Sequence, residues 1–355
     1  MRYGTIQARP GDAVTRAQGP PLATPDRAML PGRRGGPALD VPSLVARART
    51  WDPRAVGRLI SMVENAGPEL REVAAALAPH TGRAQVIGLT GPPGVGKSTT
   101  TTALVRSLRA RDRRVGVLAV DPSSPFSGGA LLGDRVRMQA HSGDRDVYIR
   151  SMATRGRLGG LAPATPQALR VLDAAGCDIV LVETVGGGQS ELEIASLADT
   201  TLVLMAPGMG DGIQAAKAGI LEVADIFVVN KADREGADQT VGDLRAMLSL
   251  GGRHAEPGAW RPPIIKTVAS QEGDSGIDEV LDRLDEHRAW LASSGEGHRR
   301  RTDHVRREIE AIAIAGLRER LGNVHWSATL SSLAASVVAG ETNPYRAADD
   351  LLGAL

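Results

Sequence analysis

The chain has 355 residues, of which 42 are basic and 41 acidic, so its formal charge at pH 7 is +1. This balance gives no reason to expect a nucleic-acid or anionic-membrane partner. A single cysteine, Cys177, excludes an intrachain disulfide framework and a zinc site built from several cysteines. The sequence contains neither a membrane-length apolar run nor a secretory signal, which favours a cytoplasmic protein.

Residues 1–39 are rich in proline, glycine and arginine and poor in acidic residues. This composition buries too little apolar surface to offset the entropy of ordering, so it predicts a disordered tail. An arginine-rich, acid-poor N-terminus is also typical of a mitochondrial transit peptide. The tail lacks serine, however, and has too much proline and glycine for the amphipathic helix that such a peptide forms.

Three segments are predicted after the tail, with boundaries at residues 40–82, 83–293 and 294–355. The first is an N-terminal helical segment, because its apolar residues recur at helical spacing at Val56, Leu59, Ile60 and Val63. The third is helical as well. Its apolar residues form one face with Val305, Ile309 and Ile312 and another with Leu330, Leu333, Val337 and Val338.

The central segment alternates short apolar runs with helical stretches. Near-continuous apolar runs separated by helices indicate an α/β fold, with a mostly parallel sheet covered by helices on both faces. The strand-like runs are 85-QVIGLT-90, 115-VGVLAV-120, 178-DIVLVE-183, 200-TTLVLMA-206, 225-DIFVVN-230 and 263-PIIKTV-268.

The first of these runs leads directly into 91-GPPGVGKS-98, which fits G-x-x-x-x-G-K-[ST] at every fixed position. In this motif the glycines let backbone N–H groups surround a phosphate chain. Lys97 reaches the β- and γ-phosphates, and the Ser98 hydroxyl can bind Mg²⁺ at a helix N-terminus. We therefore predict a P-loop NTPase whose nucleotide contacts include Gly91, Pro92, Pro93, Gly94, Val95, Gly96, Lys97, Ser98 and Thr99.

The run 230-NKAD-233 identifies the base, because it ends a strand and fits N-K-x-D. The Asp233 carboxylate can accept hydrogen bonds from N1–H and the exocyclic amine of guanine, whereas adenine would leave that carboxylate unpaired. Asn230 is predicted to hold loops together and the Lys231 stem to pack on the purine. In the segment Val268, Ala269 and Ser270, a backbone N–H is predicted to contact guanine O6. The sequence thus predicts GTP and GDP, not ATP.

Three acids are candidates for a magnesium site together with Ser98. Asp121 and Glu183 close apolar strands and should lie at the carboxyl edge of the sheet, whereas Asp134 lies in a glycine-rich loop. The alternative for each acid is the capping of a following helix. Glu183 begins E-x-x-G where many GTPases have D-x-x-G.

Several long phrases together resemble one family, the methylmalonyl-CoA mutase-associated GTPases of the MeaB/MMAA/ArgK type. The resemblance runs from about residue 41 to the end of the chain. The phrases are GPPGVGKST, DPSSPFSGGALLGDRVRM, VETVGGGQSE, APGMGDGIQAAKAGILEVAD, NKAD and NPYRAADDLL. The resemblance implies a homodimeric SIMIBI-class GTPase that protects an adenosylcobalamin-dependent acyl-CoA mutase and gates its cofactor loading.

The resemblance also implies roles for individual residues. Lys97 and Ser98 would hold phosphate and Mg²⁺, while Asp121, Asp134 and Glu183 would surround the metal and the attacking water. The loop 207-PGMGDGIQAAKAG-219 would be a third switch in which Lys217 stabilises transition-state charge. The C-terminal helices would form a dimerisation arm. Gly187 departs from the valine that is usual in the family, which predicts a looser switch.

Other functions stay open at this point. A kinase of amino-acid transport would use the same phosphate loop, and a non-catalytic scaffold would bind GTP without hydrolysing it. A metal-delivering GTPase would need histidine ligands, and the histidines show no ligand spacing. The arginine cluster 298-HRRR-301 with Arg306 and Arg307 lacks aromatic residues, so we interpret it as a solvated helix face instead of a nucleic-acid site.

Overall fold

The computed structural model describes residues 40–65, 67–121, 141, 143–153, 164–184, 190–208, 220–250, 258–273, 275–322 and 326–353. The described residues, which begin at Asp40, belong to one compact unit. The predicted tail, residues 1–39, lies outside the described residues, and the boundaries proposed at residues 82 and 293 stay predictions.

A seven-stranded sheet with the order β3-β2-β4-β1-β5-β6-β7 forms the centre of the fold, and every strand pair in it is parallel. The predicted α/β class and parallel sheet are confirmed. The strands are β1 (Gln85–Thr90), β2 (Val115–Asp121), β3 (Val147–Ala153), β4 (Ile179–Thr184), β5 (Thr200–Met205), β6 (Ile226–Asn230) and β7 (Ile264–Thr267).

Helices cover both faces of this sheet. The described helices are α1 (Val41–Arg49), α2 (Pro53–Asn65), α3 (Leu70–Leu77), α4 (Lys97–Ala110), α5 (Thr165–Ala174), α6 (Ser190–Ala195), α7 (Ile220–Val223), α8 (Ala237–Leu250), α9 (Ile277–Ser294), α10 (Glu296–Gly322), α11 (Trp326–Val338) and α12 (Pro344–Gly353). One core cluster joins α1, α2, α3 and α5 to one face, and a second joins α4 and α9 to the other. Strands β4, β5 and β6 are buried along their whole length, which explains their continuous apolar runs.

The N-terminal helical segment packs with the apolar face that its periodicity predicts. Val56, Leu59, Ile60 and Val63 are all buried. The start of α2 is fixed by Asp52, whose carboxylate accepts the N–H groups of Arg54 at 2.9 Å and Ala55 at 3.3 Å, and Pro53 occupies the first helical turn. A hydrogen bond from Arg47 to Asp52 lowers the pKa of that carboxyl.

Strand β3 is a seventh strand that the sequence analysis does not predict. Its sequence, VYIRSMA, interrupts the apolar residues with arginine and serine. This pattern is possible because β3 is an edge strand that pairs only with β2, and most of its residues are half-buried. Arg150 uses this position to form an ion pair with Glu64 of α2.

Cys177 packs in the core beside β2. It is buried, and its sulfur would lie 3.2 Å from a Cβ placed on Gly116. Burial raises the pKa of the Cys177 thiol well above its ordinary value.

The first turns of α10 are attached to the sheet by charged side chains. Arg300 donates to both carboxylate oxygens of Asp225 at 3.0 Å, and Arg301 donates to Asp199 at 2.9 Å. The interpretation of the arginine cluster as a solvated helix face is therefore wrong for Arg300. Because Asp225 and Asp199 are buried where β6 and β5 begin, they need a cationic partner.

Further along α10 the apolar side chains are exposed in this chain. Ile309 is 62% exposed and Ile312 is 55% exposed. The described part of the chain contains no helix that is both long and apolar enough to cross a membrane.

Candidate functional site

The carboxyl ends of β1 and β5 flank the point where the sheet topology changes direction. The chain leaves β1 for β2 on one side, whereas it leaves β5 for β6 on the other. Open parallel sheets bind ligands in the crevice at such a switch point. The motifs predicted to hold nucleotide follow β1, β4, β6 and β7, and they meet at this edge.

The loop from Gly91 to Gly96 joins β1 to α4 and requires glycine for two reasons. Gly91 has φ 139° and Gly96 has φ 99°, both in the region that favours glycine. A Cβ on Gly91 would collide with the Leu204 carbonyl oxygen of β5, and a Cβ on Gly96 would collide with the Asn230 side chain. The close approach of β5 and β6 to the loop thus depends on these two residues.

Lys97 begins α4 and turns its side chain back over the loop. Its ammonium donates to the carbonyl oxygens of Gly91 at 2.7 Å and Pro92 at 3.0 Å, and the residue is buried. A compact ammonium with three donors can do this within a tight loop, where the planar fork of arginine fits less well.

Ser98 and Glu183 lie in contact, although 85 positions separate them in the chain. The Ser98 hydroxyl donates to Glu183 Oε1 at 2.6 Å, and the Thr101 hydroxyl lies 2.9 Å from Glu183 Oε2. Glu183, at the end of β4, is 3% exposed. The site therefore holds a buried carboxylate by both of its oxygens, directly beside the phosphate loop.

The NKAD loop contacts the phosphate loop through two side chains. The Asn230 amide donates to the Val95 carbonyl oxygen at 2.8 Å, and Lys231, which has φ 59°, donates to the Gly94 carbonyl oxygen at 2.7 Å. On its other side the Asn230 oxygen accepts from Thr267 Oγ1 at 3.2 Å and from Ala269 N at 3.1 Å. Asn230 thus joins the phosphate loop, the NKAD loop and the segment after β7.

Asp233 is solvent-exposed and lies on the wall of a cavity of about 450 Å³ beside the free edge of β7. In the segment after β7, the N–H of Val268 donates to the Ser275 carbonyl oxygen at 2.9 Å and that of Ala269 to Asn230. Within the part of the chain that the structure describes, Ser270 is the member of this segment whose N–H has no protein acceptor.

The backbone of Asp121 ends β2 beside Ala153 of β3, at the same edge of the sheet as Glu183. Asp134, Gly187 and Lys217 lie outside the described residues, so their predicted roles stay predictions.

The donors in the site fit a magnesium ion. Mg²⁺ prefers oxygen ligands, uses one or two carboxylates and completes its coordination with water and phosphate oxygens. Ser98 Oγ and the Glu183 carboxylate supply such oxygens 2.6 Å apart beside the phosphate loop. Among the described residues there is no cluster of three or more acidic, histidine or cysteine side chains, the kind that would hold a metal without a bound phosphate.

Thr101 is a site residue that the sequence analysis does not identify. It lies beyond the phosphate-loop motif, and its contact with Glu183 spans 82 positions. One signal could have indicated it: Thr101 is three residues after Ser98 on a helix, so both hydroxyls lie on the same face.

Together, the parallel sheet, the phosphate loop and the NKAD loop define a P-loop GTPase. The family described as methylmalonyl Co-A mutase-associated GTPase MeaB matches residues 56–325 of the chain. The chain belongs to this family; it binds guanine nucleotide and is a GTP hydrolase.

Individual relatives and a solved structure are similar to most of this chain. A protein of Pyrococcus abyssi named as a GTPase is 46% identical over 88% of this chain and 96% of its own length. The mouse protein named methylmalonic aciduria type A homolog, mitochondrial, is 38% identical over 76% of this chain and 65% of its own length. A crystal structure described as a LAO/AO transport system kinase is 25% identical, covers 88% of this chain and 96% of that chain, and has a TM-score of 0.65.

Proposed function

We propose that this GTPase is a chaperone of an adenosylcobalamin-dependent acyl-CoA mutase. Methylmalonyl-CoA mutase is the first candidate for this partner. The GTPase would gate the loading of the mutase cofactor and protect the mutase from inactivation, and it would act in the cytoplasm. The observation that carries the proposal is the match of residues 56–325 to the mutase-associated GTPase family. The mouse relative, whose name refers to methylmalonic aciduria, also supports the proposal of a methylmalonyl-CoA mutase partner.

At the phosphate end of the site, Lys97 would exchange the carbonyl oxygens of Gly91 and Pro92 for β- and γ-phosphate oxygens. Ser98 would bind Mg²⁺, with Glu183, Asp121 and Asp134 around the metal and the attacking water. Bound Mg²⁺ would neutralise charge that develops on the phosphates during hydrolysis. The contact between Ser98 and Glu183 supports this arrangement, and Lys217 would add positive charge from the third switch.

At the base end, the Asp233 carboxylate would accept the N1–H and exocyclic amine of guanine. The exposed position of Asp233 and the contacts of Asn230 and Lys231 with the phosphate loop support this assignment. We further propose that the protein is a homodimer joined through its C-terminal helices, which the exposed apolar residues of α10 support.

Two measurements on the purified full-length chain test these proposals. Calorimetry should give a clear preference for GTP over ATP, and comparable affinities would contradict the guanine assignment. Intrinsic hydrolysis should be slow, on the order of 10⁻⁴ to 10⁻² s⁻¹ without an arginine finger supplied in trans. Addition of apo methylmalonyl-CoA mutase should accelerate it. The mutase proposal fails if neither hydrolysis nor adenosylcobalamin loading responds to the other protein.

A kinase is the second candidate, because one solved structure that resembles this chain carries the description of a transport system kinase. A kinase would transfer the γ-phosphate to an acceptor instead of water. With γ-labelled GTP and the mutase present, we expect the label as free phosphate. Label on a protein would favour the kinase.

A further inference from the structure

Four successive threonines follow Ser98 in α4, and three of them carry hydroxyls with different surroundings. The Thr102 hydroxyl donates to the Ser98 carbonyl oxygen at 2.9 Å, which is an ordinary bond within the helix. The hydroxyl of the fully buried Thr100 has no hydrogen-bond partner in the described part of the chain. Thr101 is different, because its hydroxyl lies 2.9 Å from Glu183 Oε2 as well as 3.0 Å from the Lys97 carbonyl oxygen.

The Thr101 hydroxyl has one hydrogen for these two acceptors. An ionised carboxylate is the stronger acceptor, so the hydrogen is expected to go to Glu183 more than to the Lys97 carbonyl oxygen. Both Thr101 and Glu183 are buried, with exposures of 0% and 3%. Bulk water therefore has little access to replace this donor at Oε2.

Among the described residues, two donors hold the carboxylate in its orientation. Ser98 donates to Oε1 at 2.6 Å while Thr101 holds Oε2. The terminal torsion of a glutamate is soft, so a carboxylate held at one oxygen can rotate, whereas one held at both cannot. With Thr101 in place, Oε1 stays directed at the Ser98 hydroxyl.

We propose that Thr101 is a positioning residue of the magnesium site: by holding Glu183 Oε2 it keeps Oε1 directed at Ser98, and so it sets how tightly the protein binds Mg²⁺. This inference rests on the proposed function, in which Ser98 and Glu183 serve Mg²⁺. In this role Thr101 would act through Glu183, which it contacts at 2.9 Å, and would not itself be a ligand of the metal or the nucleotide. Partners of this kind, which orient metal-binding groups, typically change metal affinity by about tenfold to a hundredfold when they are removed.

The test is a Mg²⁺ titration of the full-length chain with a fluorescent N-methylanthraniloyl derivative of GDP. Thr101→Val removes the hydroxyl and keeps the shape. It should raise the Mg²⁺ concentration at half-saturation by about tenfold or more. GDP affinity in excess EDTA should stay within about twofold of wild type, because a purely structural defect would lower both affinities together. Thr101→Ser retains a hydroxyl and should restore most of the Mg²⁺ affinity.

Thr102→Val is the matched control, since it removes the neighbouring hydroxyl and its bond within the helix but not the contact with Glu183. It should leave the Mg²⁺ titration unchanged. If valine does not pack at position 101, Thr101→Ala removes the hydroxyl instead. Thermal unfolding checks that each variant is folded.

The magnesium site and the role of Thr101 are tested by different outcomes. If wild-type GDP affinity does not depend on Mg²⁺, the proposed magnesium site is wrong and the role of Thr101 falls with it. If wild type depends on Mg²⁺ and Thr101→Val or Thr101→Ala has the same midpoint, or Thr102→Val shifts the midpoint equally, the role of Thr101 alone is overturned.

Discussion

In the proposed function, the choice of base depends on one carboxylate, that of Asp233, at an exposed position of the NKAD loop. Asp233→Asn should weaken GTP binding by about 1–3 kcal/mol, because the amide donates where guanine also donates. Binding of xanthosine triphosphate should improve, because xanthine presents an oxygen where guanine has its exocyclic amine. Competitive binding measured with both nucleotides checks this exchange.

Asp238→Asn is the control for that substitution. Asp238 is an exposed acid of the neighbouring helix α8 that pairs with Lys266 at 3.1 Å, so the variant makes the same change in charge close by. It should leave both nucleotide affinities unaltered. If Asp233→Asn also leaves both nucleotide affinities unaltered, Asp233 does not contact the base.

Thr100 has a hydroxyl that costs stability. The residue is fully buried, and Oγ1 has no partner among the described residues. Valine has nearly the same shape without the desolvated hydroxyl, so Thr100→Val should raise the free energy of unfolding by about 1 kcal/mol in urea denaturation. Thr102→Val removes a hydroxyl that is bonded and should give no such gain. Equal changes in the two variants would contradict this explanation.

Lys266 is a lysine for which the sequence predicts no role, and its position on the sheet explains it. It lies on β7, an edge strand, and points outward to Asp238. A charged side chain on an edge strand opposes pairing with another sheet. The exposed ion pair itself contributes little to stability.

At the scale of elements, the sequence predicts most reliably the strands and loops that short-range residue patterns determine. Strands β1, β2, β4, β5, β6 and β7 are predicted from continuous apolar runs, and the phosphate and NKAD loops from fixed spacing. Strand β3 is missed because an edge strand need not be apolar throughout. The contacts of Glu183 with Thr101 and of Asp225 with Arg300 are missed because they join residues 82 and 75 positions apart. No local pattern in the sequence records such pairs.

The attachment of α10 to the sheet depends on the pair of Arg300 and Asp225. Arg300→Leu would leave the buried Asp225 carboxylate without its guanidinium and should lower the free energy of unfolding by about 3 kcal/mol. Arg299→Leu, on the same turn, removes an exposed arginine that pairs with Glu296 and should cost less than about 1 kcal/mol. Urea unfolding of both variants measures the difference. Similar values would show that Asp225 does not depend on Arg300.

Next to this pair, His287 makes the stability of α9 depend on pH. The side chain is fully buried, contacts Thr200 Oγ1 at 2.8 Å and stacks on Trp290. Burial, together with Arg300, lowers the pKa of His287 to about 4, although the nearby Asp225 acts in the opposite direction. In the unfolded chain the histidine has its ordinary pKa near 6.5. The folded state therefore binds fewer protons between pH 6.5 and 4, and stability falls as the pH is lowered.

The expected loss at pH 5 relative to pH 7 is about 2 kcal/mol for this residue. Burial lowers the pKa of His304 as well, so it adds a change of the same sign. Urea unfolding at the two pH values measures the total, and His287→Gln should make the dependence shallower. A wild-type stability that is constant between pH 7 and 5 would contradict the neutral state of the buried imidazole.

At the scale of the whole molecule, α10 is the helix through which the proposed dimer would form. Its 27 residues span about 40 Å at 1.5 Å per residue. Only its first turns carry the charged pairs with Asp225 and Asp199. Val305, Ile309 and Ile312 recur at helical spacing and form one apolar face, on which Ile309 is 62% and Ile312 55% exposed. A second copy of the chain would remove this face from water.

The substitutions Ile309→Glu and Ile312→Glu together should therefore convert a dimer to a monomer, because each would bury a carboxylate without a partner in the interface. Light scattering coupled to size exclusion, and sedimentation over a range of concentrations, measure the mass. Ala311→Glu adds one carboxylate on the opposite side of the helix and should remain dimeric. GTP affinity checks that each variant is folded. A monomeric wild type, or a double variant that remains a dimer, would show that this face of α10 does not join two copies.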